Sequence, residues 1–216
     1  MSDIELYNLF PTPVMRVKGF LEAAQIEAIV AQSGQSGVIA NARSDRLSHT
    51  EVANPTSDPL YHSIAEQARE HLRDFGFLLF GENLDWTIKD IWTNVLSAGG
   101  HQSLHSHANS FISGVIYLTD IHPSAHTVFH NSMGGRHFVF SNTHEASAVT
   151  PYNGDQWVAS DCKRGDMILF PSYMLHAVPR NEGQRRVSIA FNALPHRLKS
   201  WDYAITFTDP VEGTSG

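Results

Sequence analysis

Residues 186–192 read Arg-Val-Ser-Ile-Ala-Phe-Asn. In a strand, residues i and i+2 point to the same side. Arg186, Ser188, Ala190 and Asn192 therefore share one face, and Val187, Ile189 and Phe191 share the other. A strand with one polar face and one β-branched or aromatic face has two buried sides of different character. The apolar side is expected to pack under helices. The polar side is expected to line a cavity, because arginine is rarely buried without a partner.

Ten residues before Arg186 stands His176, in FPSYMLHAVP. The turn Arg180-Asn181-Glu182-Gly183 lies between them, so the two strands are expected to be antiparallel neighbours. Much further upstream, residues 96–113 read LSAGGHQSLHSHANSFIS. His105 and His107 are two residues apart, so one strand end could aim both rings at a single metal. With His176 as a distant third, the set is suited to a centre that keeps coordination positions open. On the histidines alone zinc serves as well as iron, and a surface pair with an unrelated third is the plain alternative. Arg186 with Ser188 at i+2 is suited to grip a carboxylate bidentately. The plain alternative is a structural salt bridge, in a turn that Arg185 already makes basic. Tyr117 shares strand parity with Ser113 and Val115, so its hydroxyl could reach the same carboxylate, or its ring could simply fill the core. Asn94, between large apolar residues, invites a hydrogen-bonding role, and so does Asn192. Phe129, Phe140 and Trp157 are strand aromatics, read as core more than as pocket.

The remaining pattern supports a layered β protein. Val14, Met15 and Val17 are strand material in an extended entry over residues 1–19. Residues 20–32 are rich in helix formers. Residues 34–57 are polar and irregular, with Gly34 and Gly37, and are read as a loop in which Arg43, Arg46 and His49 could touch a substrate. A second helix follows, capped by Ser57 or Asp58 with Pro59 in its first turn. Tyr61, Ile64, Ala65, Ala68, Leu72 and Phe75 form its apolar stripe, and Gly76 is expected to end it. Strands are expected over 91–96, 111–118, 127–129, 137–140, 156–159, 167–170, 175–178, 186–192 and 203–208. Two helices followed by many short strands read as mainly β with N-terminal helices: a double-stranded β-helix, that is, a cupin-like jelly roll. One domain is expected over 1–216, with helical support about 20–76 and a jelly-roll core about 86–208.

Composition narrows the classes. A formal charge of −7 and the absence of a basic cluster argue against nucleic acid. The single cysteine, Cys162, rules out an internal disulfide and fits a reducing compartment. The N-terminal residues show no signal-peptide pattern and no apolar run is of membrane length, so the cytoplasm is the expected location. A homo-oligomer is left open.

The motifs, taken together, resemble the 2-oxoglutarate- and Fe(II)-dependent oxygenases, and most of all a bacterial branch with a His-x-His form of the metal motif. The resemblance rests on WTNVLSAGGHQSLHSHANSFISGVIYL, GDMILFPSYMLHAVPRN and RRVSIAFN, and spans roughly residues 86–192. The family pattern is a glycine, then His-x-Asp or His-x-Glu, a distal histidine, and a basic residue about ten positions later. Gly99, His105, His176 and Arg186 match it, and Arg186-Val187-Ser188 matches the Arg-x-Ser form of several members. The departure is His107, which stands where a carboxylate is usual. Three neutral imidazoles leave Fe(II) two net positive charges instead of one, which favours an anionic chelator in the open positions.

The resemblance implies Fe(II) on His105, His107 and His176, with 2-oxoglutarate held at its distal carboxylate by Arg186 and Ser188. Tyr117 and Asn94 would act as supporting cosubstrate contacts. It implies O2 as the other reactant and succinate as a product of hydroxylating a small molecule or amino-acid side chain. The runner-up is a cupin-like three-histidine dioxygenase that uses O2 without 2-oxoglutarate. A non-enzymatic ligand-binding jelly roll comes third. The loop 34–55 and the segment His122 to Arg136 are expected to set specificity.

Overall fold

The computed structural model describes residues 5–33, 38–131, 142 and 144–208. The order of elements is β1 (Met15–Val17), α1 (Ala23–Ser33), β2 (Ile39–Ala40), β3 (Leu47–His49), α2 (Pro59–Phe80), β4 (Trp86–Leu96), β5 (Gln102–His105), β6 (Ile112–Tyr117), β7 (Val128–His130), β8 (Gln156–Val158), β9 (Met167–Pro171), β10 (His176–Val178), β11 (Arg186–Pro195), β12 (Arg197–Ser200) and β13 (Tyr203–Thr206). The expected strand over 137–140, with Phe140, and residues 34–37 and 132–136 of the expected specificity regions lie outside the described residues.

The strands form a seven-stranded sheet, ordered β1-β9-β6-β11-β4-β3-β2, a four-stranded sheet, ordered β5-β10-β7-β8, and the hairpin β12-β13. Every pairing is antiparallel. The fold is mainly β with helices in the N-terminal region, and among the described residues the pairings do not close into a barrel.

Helix α2 forms for local reasons. Asp58 is its N-cap, with Oδ1 accepting from the backbone N–H groups of Leu60 at 2.8 Å and Tyr61 at 3.4 Å, and Pro59 occupies the first turn. Its buried residues Tyr61, Ile64, Ala68, Leu72 and Phe75 recur at three- and four-residue steps. The helix does not stop at Gly76. It continues to Gly81, whose φ of 70° is the left-handed conformation of a helix C-cap. Gly76 is instead a point of close approach: a Cβ there would lie 2.3 Å from Nε1 of Trp86. α1 and α2 cover one face of the large sheet, where Ile29, Ile64, Leu72 and Phe75 share a core with Val187, Ile189 and Phe191. The two faces of β11 thus separate as their alternation predicts.

Two expectations need correction. The stretch 34–57 is not simply a loop. β3 pairs with the upper half of β4, Leu47 opposite Leu96 and His49 opposite Asn94, and so widens the large sheet. Composition hides this because the strand is three residues long and flanked by polar turns. Nor is β11 the neighbour of β10. β10 lies between β5 and β7, whereas β11 lies between β4 and β6. The turn at 180–183 crosses from one sheet to the other, so His176 and Arg186 meet across the interior, not side by side.

Candidate metal centre

The polar face of the large sheet and the inner face of the small one flank a cavity lined by His105, His107 and His176 at one end and by Arg186, Ser188 and Thr127 at the other. His105 and His176 are opposite each other in the β5–β10 pairing. His107 lies just past β5, where its backbone N–H donates to Ser172 O at 2.9 Å. One ligand atom from each of the three histidines lies within 4.8 Å of the others. The imidazole centroids are 4.2 to 5.2 Å apart.

Each ring has its Nδ1 on an oxygen acceptor. His105 Nδ1 meets Ser103 O at 2.8 Å, His176 Nδ1 meets Met174 O at 2.9 Å, and His107 Nδ1 meets Asn192 Oδ1 at 2.7 Å. A carbonyl oxygen can only accept, so each Nδ1 carries the proton and each Nε2 carries the lone pair. Nε2 of His107 is buried with no hydrogen-bond partner. An orphaned buried acceptor is costly unless something coordinates it. Burial also keeps the rings neutral. It pushes His176 down to about 3, helped by His105, and His107 down to about 4, again helped by His105. His105 is lowered for the same first reason. Three neutral imidazoles with converging lone pairs make a donor set that fits a divalent transition metal.

Arg186 sits at the other end. It is 5 % exposed, and among the described residues no carboxylate pairs with it. Nη1 donates to Ser188 Oγ at 3.2 Å and Nη2 to Thr127 Oγ1 at 3.5 Å, while Nε has no partner. The guanidinium lies 5.3 Å from the centroid of the Tyr117 ring. Burial pulls its pKa down, and neighbouring Tyr117 acts the other way.

The structure brings His105, His107, His176, Arg186, Ser188 and Asn94 to one cavity. Tyr117 is not among the residues lining the cavity: its hydroxyl is 2.9 Å from Thr127 Oγ1, and the guanidinium lies over its ring. Asn94 is opposite Ser188 in the sheet. Phe129 belongs to the core between the sheets, and Trp157 is 54 % exposed. Sequence reasoning passed over Thr127, Gln102 and Trp92. Gln102 Nε2 lies 3.2 Å from His105 Nε2, and Trp92 stacks on His107 at 6.0 Å. Trp92 was readable, since it shares parity with Asn94 on β4. Nothing distinguishes Thr127 from any threonine at a strand end.

The sequence model of the family described as "Putative 2OG-Fe(II) oxygenase" matches residues 90–192, a segment that contains every residue of this cavity. Over that segment, just under half of its length, the chain is similar to that family. No curated protein matches it in sequence. Among solved structures, HygX from Streptomyces hygroscopicus, with nickel and 2-oxoglutarate bound, is 14% identical over 85% of this chain and 83% of that one, with a TM-score of 0.61. A 2OG-Fe(II) oxygenase family oxidoreductase from Burkholderia pseudomallei is 13% identical over 83% of each chain, with a TM-score of 0.58. A prolyl-4-hydroxylase from Pseudomonas putida is 14% identical over 84% of this chain and 92% of that one, with a TM-score of 0.56. At such identities the likeness is one of fold. No helix among the described residues is long and apolar enough to cross a membrane.

Proposed function

We propose that the chain is an Fe(II)- and 2-oxoglutarate-dependent oxygenase, a single domain of double-stranded β-helix type, that hydroxylates a small molecule or an amino-acid side chain. The observation that carries this reading is Arg186. A buried guanidinium that meets only hydroxyls and an aromatic face, in the same cavity as three converging imidazoles, is arranged for an anion that also reaches a metal.

His105, His107 and His176 would hold the iron through Nε2. Arg186 and Ser188 would hold the distal carboxylate of 2-oxoglutarate. Tyr117 would back the guanidinium with its ring, and Asn94 would complete the wall beside Ser188. When bound, iron and cosubstrate supply oxygen activation and oxidation of a C–H bond. The chain supplies position and polarity: neutral ligands, a fixed cation, and walls from both sheets. The location is taken to be the cytoplasm, with O2 and an unidentified substrate as partners and no nucleic acid.

The neutral donor set also favours a second reading, a three-histidine dioxygenase that needs O2 but no 2-oxoglutarate. Protein loaded with Fe(II), given ascorbate and 2-oxoglutarate, is expected to bind the cosubstrate and to release succinate above a metal-free control. Iron-loaded protein that binds no 2-oxoglutarate and makes no succinate would overturn the first reading.

A further inference from the structure

Residue 107 is a histidine, and its surroundings suit an imidazole at that position. Its Nδ1 donates to Asn192 Oδ1 at 2.7 Å. The same oxygen accepts from Ser113 Oγ at 2.9 Å. Ser113 Oγ is 2.9 Å from Ser172 Oγ, which is 2.8 Å from Ser110 Oγ. The carbonyl of Ser172 in turn accepts from the His107 backbone N–H at 2.9 Å. The network is therefore closed: it leaves the His107 ring, passes through Asn192 and the serines, and returns to the His107 main chain.

Asn192, Ser113 and Ser172 are all buried, at 6 %, 1 % and 0 % exposure. Buried polar groups of this number are retained only when they are satisfied and serve a purpose. The register explains how they meet. Asn192 on β11 is opposite Ser113 on β6, and Ser113 is opposite Phe170 on β9, two residues before Ser172. Three strands of the large sheet thus converge on one imidazole that belongs to neither sheet.

We propose that Asn192 is a positioning residue that commits position 107 to a histidine ligand. The inference rests on the three-histidine reading above. As a double acceptor, Asn192 Oδ1 fixes the proton of His107 on Nδ1 and turns the lone pair of Nε2 toward His105 and His176. Ser113 donates to Asn192 and Ser172 can donate to Ser113, which strengthens the amide oxygen as an acceptor and the imidazole as a ligand, while Ser110 donates to the carbonyls of Ile112 and Ala193. An aspartate at 107 would present an oxygen, not an N–H, to that acceptor. With the amide turned over, Nδ2 would donate to His107 Nδ1, the proton would move to Nε2, and the coordinating lone pair would be lost.

The test uses the full chain and Co(II) alone, with affinity read by calorimetry and by the Co(II) absorption spectrum. Asn192→Leu is expected to weaken Co(II) binding about 10–100-fold, the range found when a partner of a ligating histidine is removed. Asn192→Asp keeps only acceptors and is expected to bind as tightly as the parent or more so. In a His107→Ala background, Asn192→Leu is expected to cost nothing further, because it acts through the missing ring. Thermal melts measure the structural part, which should be similar in both backgrounds. Should Asn192→Leu fail to fold, Asn192→Ser, too short to reach the ring, takes its place. If the loss of affinity is equal in both backgrounds, or if Asn192→Asp is as weak as Asn192→Leu, the proposal falls and the metal site stands. If His107→Ala itself leaves Co(II) affinity intact, the three-histidine reading falls and takes the proposal with it.

Discussion

The guanidinium of Arg186 lies 5.3 Å from the centroid of the Tyr117 ring, and that ring, with two hydroxyls, takes the place of a counter-ion among the described residues. A desolvated cation–π contact is worth about 2 kcal/mol or somewhat more, which offsets only part of the several kcal/mol that burying an unpaired ion costs. The arginine is therefore a burden on the fold, as the proposed anion-binding role implies. Arg186→Met keeps the aliphatic length and removes the charge. We expect it to lower 2-oxoglutarate affinity at least about 100-fold, the scale of two charge-assisted hydrogen bonds, while leaving the metal-free protein as stable as the parent or more so. Titration with 2-oxoglutarate, paired with a thermal melt, checks both halves. A variant that melts lower and binds normally would make Arg186 a structural residue.

Thr127 Oγ1 stands between Tyr117 Oη at 2.9 Å and Arg186 Nη2 at 3.5 Å. It lines the cavity, whereas Tyr117 does not. Thr127→Val is nearly isosteric and removes one acceptor from the guanidinium. A roughly 3–10-fold loss of 2-oxoglutarate affinity is expected, about 1 kcal/mol for one hydrogen bond. Tyr117→Phe keeps the ring over the arginine and should cost less than Thr127→Val. The reverse order would mean that the phenol, not the threonine, serves the anion.

Gly76 and Trp86 test how a glycine is read. In a helix interior, alanine is better than glycine by about 1 kcal/mol. Here the added methyl would fall 2.3 Å from the indole Nε1 and 2.5 Å from Cε2. Overpacking of a core costs typically about 1–3 kcal/mol, so the clash wins. Gly76→Ala should lower the urea midpoint and shift the emission of Trp86, which is buried at 5 % exposure. A rise in the midpoint would show that α2 and β4 can separate at no cost.

How far these features are legible depends on their range. The two faces of β11 are readable because strand periodicity is local, and so are the cap of α2 and the pairing of His105 with His107. Gly76 misleads because a glycine that ends a helix and one that admits a tryptophan look alike, and Trp86 comes ten residues later. The crossing of the 180–183 turn is hidden because a turn of that length joins strands within a sheet or between sheets. β5, with the sequence QSLH, lacks the β-branched and aromatic residues that mark strands, and it is held by its pairing with β10. The bond between His107 and Asn192 spans 85 positions, and only the register of three strands brings its ends together.

Asp166 supplies the prediction for acid. Its Oδ1 accepts from Gly19 N at 2.9 Å, and its Oδ2 accepts from Arg16 Nε at 2.8 Å, Arg16 Nη2 at 2.6 Å and Lys163 N at 2.9 Å. It thereby ties β1 to the turn before β9. Burial alone would raise its pKa, but the amides of Gly19 and Lys163 and then the Arg16 guanidinium outweigh burial and hold it below the ordinary carboxylate value. A carboxyl depressed on folding contributes stability that is full above its unfolded pKa and is lost as pH falls through the folded one. In Asp166→Asn one acceptor becomes an NH2 group, and whichever way the amide turns, that group faces a donor. We expect a loss on the order of 2–3 kcal/mol at pH 7. The difference between parent and variant should stay level from pH 8 to pH 5 and narrow only below about pH 4, where the parent's carboxylates begin to protonate. Urea unfolding of both proteins at pH 7, 5 and 3 measures it. A gap that closes already between pH 8 and 5 would mean that the Asp166 carboxyl titrates well above the position its four donors imply.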